Sequence, residues 1–261
     1  MIVYRRSAWI LNTTVSGALI AGLLASTAHA QDVTFIPAVN SMTSTDIMLN
    51  STKEAWAAEE CVSDKWAVDC DGAKVKDGNL QPKYEIAAVA ALDYHPSLTQ
   101  RKHNMSQLVA SVREKNPEMA DKLSRTMASM DLVVEAKPFM RDMGLGDDNV
   151  ADAYTYWAVT MWQAANPQAP AASPVSITNV LRQTRNILQG MPNLVAARDA
   201  EKQQFAEYLI VQAFIIQAQA HDATGDAAQR AAVAQLALSQ GKSMGTDFGA
   251  VILTEQGLSK R

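Results

Sequence analysis

Apolar positions organise the chain around residues 147 to 166. Val150, Ala153, Tyr154, Trp157, Ala158, Met161, Ala164 and Ala165 recur at the spacing of one helical face. Thr155, Val159 and Trp162 add a second stripe, so little of this helix is left for water. A helix that is apolar most of the way round is surrounded by others. Asp147 or Asp148 is placed to accept hydrogen bonds from its first free N–H groups and to suit the positive end of its dipole. Gly144 and Gly146 break what precedes it, and Asn166-Pro167 stops it.

The same pattern predicts helices on both sides. Ile47, Met48, Ala55 and Trp56 give one, followed by turn-forming clusters over residues 71 to 82. The run from Ile86 to Leu92 is short and wholly apolar, so strand and buried helix remain open over residues 84 to 94. Ser97 is placed to cap a helix that turns Leu98, Met105, Leu108, Val109 and Val112 inward and leaves Arg101, Lys102, Arg113 and Glu114 to water. Asn116-Pro117 stops it and starts the next, which carries Met119, Leu123, Met127 and Met130. Asp131 caps a segment kinked or ended at Pro138.

After the central helix, Ser173-Pro174 restarts a helix with Ile177, Val180, Leu181, Ile187, Leu188 and Met191 on its inner side. Residues 199 to 221 form a long apolar helix through Phe205, Tyr208, Leu209, Phe214 and Ile216. Thr224 caps a last, alanine-rich helix reaching about Ser239, with Gly241 as its stop. The tail from Phe248 to Leu258 is apolar enough to pack back on the body. The fold this predicts is all-α: a single-domain multi-helix bundle around a buried central helix, with a small disulfide-closed N-terminal loop region.

The first thirty residues change the picture of where the protein works. Arg5 and Arg6, an apolar run from Val15 to Leu24, and Ala28-His29-Ala30 together read as a signal peptide cleaved before Gln31. The expected division is therefore a signal peptide at 1–30, an N-terminal segment with a helix and a disulfide loop at 31–93, and a helical domain of unknown function at 94–261. The expected localisation is periplasmic or secreted. In such an oxidising compartment Cys61 and Cys70 are expected to pair and close a small loop. Loss of Arg5 and Arg6 takes 23 basic residues to 21 against 27 acidic ones, a net charge of −6. That balance argues against nucleic acid as a partner, and no later stretch is long and apolar enough to span a membrane.

Familiar catalytic motifs are missing from the sequence. Gly241-Lys242-Ser243 resembles the end of a phosphate-binding loop, but Leu236 stands where the earlier glycine is required. After cleavage His95, His103 and His221 remain, with no two at a metal-binding i, i+4 spacing, and Asp64, Asp69, Asp71 and Asp77 lack the spacing of a calcium loop. No cofactor and no metal are expected. Two polar groups survive as candidates. Asp148, Asp152 and Tyr156 lie at i, i+4 and i+8, while Gln204, Glu207 and Tyr208 interrupt an apolar helix. Buried carboxylates need partners, for which Arg101, Arg182, Arg185 and Arg198 are available, and the favoured reading of Asp152 and Glu207 is a helix-packing network.

Tyr94-x-Pro96-Ser97 with Arg101 and Asn104, the run Asp148-Asn149-Val150-Ala151-Asp152-Ala153-Tyr154 with Trp157 and Trp162, and Leu253 to Gly257 resemble an uncharacterised family of exported bacterial helical proteins, a domain of unknown function. The resemblance covers Tyr94 to Leu258, leaves Cys61 and Cys70 outside, and departs from the family pattern at Pro138. It implies a mainly helical exported domain with no assigned activity. The functional expectation is a binding or protein-interaction module of the envelope. Its ligand would be an envelope protein or a small molecule, bound near Asp148, Asn149, Asp152, Tyr156 and Glu207. The alternatives are an envelope-polymer hydrolase using a carboxylate pair and a structural subunit of an envelope assembly.

Overall fold

Three short polar signals launch the first three helices of the computed structural model, which describes residues 91–261. Ser97 Oγ accepts from Gln100 N at 3.3 Å and opens α1 (Leu98–Lys115). Asn116 Oδ1 accepts from Met119 N at 2.9 Å and opens α2 (Pro117–Ser129), where proline at the first position loses no intrahelical bond. Asp131 Oδ1 accepts from Val133 N and Val134 N and opens α3 (Leu132–Asp142). Pro138 lies inside α3 without ending it. The carbonyl that loses its donor there belongs to Val134, an exposed residue that water can reach. The signal peptide, the Trp56 helix and the Cys61–Cys70 pairing lie outside the described residues.

The central helix α4 (Val150–Ala165) leaves only Gln163 and Ala165 outside the buried class. Its chief neighbour is α7 (Asp199–Asp222), with α8 (Ala227–Ser243) and α5 (Pro174–Gln189) completing the surround. A short α6 (Pro192–Val195) links α5 to α7. Trp157 is fully buried at the junction. Its ring lies 5.2 Å from Tyr154 and 5.5 Å from Phe248 between centroids, and its Nε1 donates to Gln212 Oε1 at 3.2 Å. Indole in a core needs such a partner for its N–H.

The cap of α4 is Asn149 rather than Asp147 or Asp148. Its Oδ1 accepts from Ala151 N at 2.8 Å, while its Nδ2 donates to Asp93 Oδ1 at 2.6 Å. The choice is tertiary. Leu92 O takes Val150 N and Asp148 O takes Tyr94 N, so an isolated bridge between Asp93 and Asn149 fixes the turn. Residues 91–94 therefore form a turn and bridge, neither helix nor full strand.

Two more predicted boundaries shift. Asp226 caps α8 through Ala228 N and Gln229 N, whereas the Thr224 hydroxyl turns back to His221 O within a 3₁₀ turn (Ala223–Gly225). The helix then runs through Gly241 to Ser243. Gly241 is required by packing: a Cβ there would press on the Phe248 ring and stand 2.7 Å from Thr246 O.

The expectation of an all-α fold is corrected at the C-terminus. The tail packs back as predicted, but as an antiparallel hairpin, β1 (Val251–Thr254) and β2 (Gly257–Lys260). A lone two-stranded hairpin is marginal in water. This one is anchored because Gln183 Nε2 donates to Leu258 O at 3.0 Å and Leu258 N donates to Gln183 Oε1 at 2.9 Å, so the side chain stands in for a third strand. Trp162 Nε1 adds a bond to Val251 O at 3.2 Å. No described helix is long and apolar enough to cross a membrane.

Candidate functional site

The carboxylates singled out from the sequence separate into three environments. Glu207, fully buried on α7, faces α1. Its Oε1 accepts from Arg101 Nε at 2.8 Å and from Gln203 Nε2 at 2.8 Å, and its Oε2 accepts from Asn104 Nδ2 at 2.7 Å. Arg101 continues through Nη1 to Asp131 Oδ2 at 3.0 Å. Thus the residue that caps α3 also holds the arginine that ties α1 to α7. Arg101 was expected to face water, yet it is buried, because an unpaired Glu207 in the core would be far costlier than the pair. Burial works against the guanidinium charge, and the bonds to Glu207 and Asp131 outweigh it, so its pKa is raised.

Asp152 occupies a second environment. Its Oδ1 accepts from Gly146 N at 2.8 Å, closing the loop before α4, and its Oδ2 lies 3.4 Å from Arg185 Nη2 on α5. Asp148 falls outside the helix, half-exposed, 3.6 Å from Lys137 Nζ; Asp147 shares that lysine and Arg141. The i, i+4 pattern therefore does not pair Asp148 with Asp152. Tyr156 is buried and donates to Gln217 Oε1 at 2.7 Å, with its hydroxyl pKa pushed up by burial. Of the remaining arginines, Arg182 contacts Asn179 and Arg198 contacts Glu201.

Tyr94 lies between the two ends of this polar system. Burial, then the charges of Glu207 and Asp148, push its pKa up, so it stays a neutral phenol. The second tyrosine of the α1 contact, Tyr208, donates to Asn104 O at 3.2 Å, and burial raises its pKa to about 12. Asp152 and Glu207 thus accept hydrogen bonds within helix packing, each from its own set of donors. Among the described residues no group of three His, Cys, Asp or Glu is placed to hold a metal ion.

The open feature lies elsewhere. A groove of about 930 Å³ runs along almost the whole of α1, with the second half of α2 and the start of α3 as its other wall. Met105, Val109, Met127 and Met130 line it half-buried, and Leu98, expected to point inward, is 70 % exposed at one end. The sequence reading placed these side chains in the core because helical periodicity marks a face without saying whether a neighbour covers it. A signal was nonetheless present. Methionine crowds this helix pair at Met105, Met119, Met127 and Met130, and its unbranched thioether suits surfaces that must adapt to a partner.

The sequence as a whole matches the profile of a family of unknown function, DUF6683, over residues 11–261. The chain belongs to that family. The DUF6683 match is longer than the resemblance at Tyr94 to Leu258 and takes in Cys61 and Cys70. No curated protein and no solved structure matches the chain. The DUF6683 family carries no assigned function, so geometry is the guide to one.

Proposed function

We propose that this protein is an exported binding or interaction module of the bacterial envelope, engaging its partner through the groove between α1, α2 and α3. The observation that carries this reading is the groove itself: apolar, open, and set over a rigid base. Arg101 is one of its lining residues and is fixed from behind by Glu207 and from the side by Asp131. Apolar clefts with a few fixed polar groups are the usual form of a ligand site.

The rival is a hydrolase that uses Asp148, Asp152 or Glu207 as acid and base. Such chemistry needs carboxyl groups within reach of a substrate proton. Glu207 and Asp152 are instead enclosed by hydrogen-bond donors on separate helices, and Asp148 lies against Lys137. Those contacts support binding over hydrolysis.

The test is thermal stabilisation of the mature chain by fractionated envelope extract. An active fraction should raise the Tm of the parent and leave Met127→Asp unshifted. Turnover of a cell-wall polymer that is lost in Asp152→Asn, with the fold intact, would replace this reading with the hydrolase.

A further inference from the structure

We infer that the groove along α1 takes an amphipathic helix of a protein partner, with an acidic side chain set against Lys102 and a basic one against Glu114. This rests on the reading of the groove as the binding surface and names the class of partner.

Shape gives the first argument. The α1 wall contributes Leu98, Arg101, Lys102, Met105 and Val109, at i, i+3, i+4, i+7 and i+11, one side of the helix, against which a second helix can pack. The groove follows α1 from Leu98 to Glu114, about 24 Å at the ordinary rise per residue. A compact ligand would fill only a part of it.

Charge gives the second. Five charged side chains line the groove. Arg101 is matched by both Glu207 and Asp131, so its own charge is already partnered. Arg113 is bound to Asp121 at 2.7 Å. Lys102 and Glu114 remain, both exposed and without an ion pair among the described residues. They lie twelve residues apart on α1, about 18 Å. A partner helix bearing one charge of each sign at that separation complements both in the direction that sets its acid against Lys102 and its base against Glu114. A helix with two like charges meets repulsion at one end.

The experiment uses three labelled synthetic helical peptides with the same leucine face, carrying Glu and Lys, Glu and Glu, or Lys and Lys twelve positions apart. Fluorescence anisotropy with the mature chain reads their affinities. The mixed-charge peptide should bind saturably and about threefold more tightly than either like-charge peptide, the size expected when one exposed ion pair becomes a repulsion. In Glu114→Lys the preference should move to the Glu and Glu peptide. Val109→Asp should abolish binding of all three, and Met127→Lys repeats that test should Val109→Asp fail to fold.

Equal affinities for the three peptides, or an unchanged order in Glu114→Lys, would overturn the inference. So would peroxide footprinting that finds Met105, Met127 and Met130 already shielded in the unliganded mature chain, since residues 31–90 would then occupy the groove. Should a small envelope molecule shield those methionines while no peptide binds, the helix partner is wrong and the binding module stands. Should neither bind, both fall.

Discussion

Helices α4 and α1 have opposite relations to the rest of the molecule. Every side of α4 meets a neighbour, and the aromatic residues that make it conspicuous are enclosed. Along α1 one side is locked to α7 through Arg101, Asn104 and Glu207, while Met105 and Val109 open onto a groove. The contrast teaches that a dense run of large apolar and acidic residues marks where the fold is built. The plainer helix, with methionines and unspent charges, is the better place to look for a partner.

The sharpest test of the locked side is Glu207→Ala. It leaves Arg101 buried beside one remaining carboxylate and should cost about 3–5 kcal/mol in urea denaturation. Little change in the midpoint would mean that the α1–α7 contact is not held by this pair. Trp157→Ala, which empties the centre of α4, should fall in a similar range of about 3–5 kcal/mol. If its loss were under about 1 kcal/mol, the space around α4 would have to be looser than a packed core.

Asp152→Asn should have a smaller effect, about 1–2 kcal/mol, because it weakens bonds to Gly146 N and Arg185 without deleting the side chain. It separates the two functional readings: a structural role lowers Tm and leaves binding intact. On the groove side, Met127→Asp should change stability by under about 1 kcal/mol, since Met127 is only half-buried, while abolishing partner-induced stabilisation.

The smallest expected effect is at the start of α7. Hydrogen bonds from the His95 side chain and backbone hold the Asp199 carboxyl below its ordinary range. A lowered folded-state pKa gives stability that is present above the unfolded value and lost as pH falls toward the folded one. Asp199→Asn should therefore weaken the protein slightly at neutral pH and narrow its gap from the parent below the carboxylate range. An identical gap throughout an acid titration would show the contact to be without consequence.

How far the sequence foretold this arrangement depended on what each feature needed. Helix starts at Ser97, Asn116, Asp131 and Ser173 were legible because a cap is a local arrangement of one side chain over two or three N–H groups. The cap of α4 was not, because Asp147, Asp148 and Asn149 all qualify locally and the bridge to Leu92 and Asp93 decides among them. Gly241 carried the same ambiguity: glycine serves both as a helix stop and as a gap for a neighbour, and only the position of Phe248 distinguishes them. Glu207 was legible as a buried carboxylate needing a partner, but nothing local pointed to Arg101, 106 positions earlier, over the other arginines. The groove was the least legible feature, since it is defined by the absence of a covering element among the described residues.

The most direct measurement is methionine oxidation by brief peroxide treatment, mapped by mass spectrometry with and without the stabilising envelope fraction. The account predicts that Met105, Met127 and Met130 oxidise readily in the protein alone and become protected when the partner binds, while the fully buried Met140 and Met161 stay slow in both states. Partner binding that leaves the three groove methionines as reactive as before would contradict it.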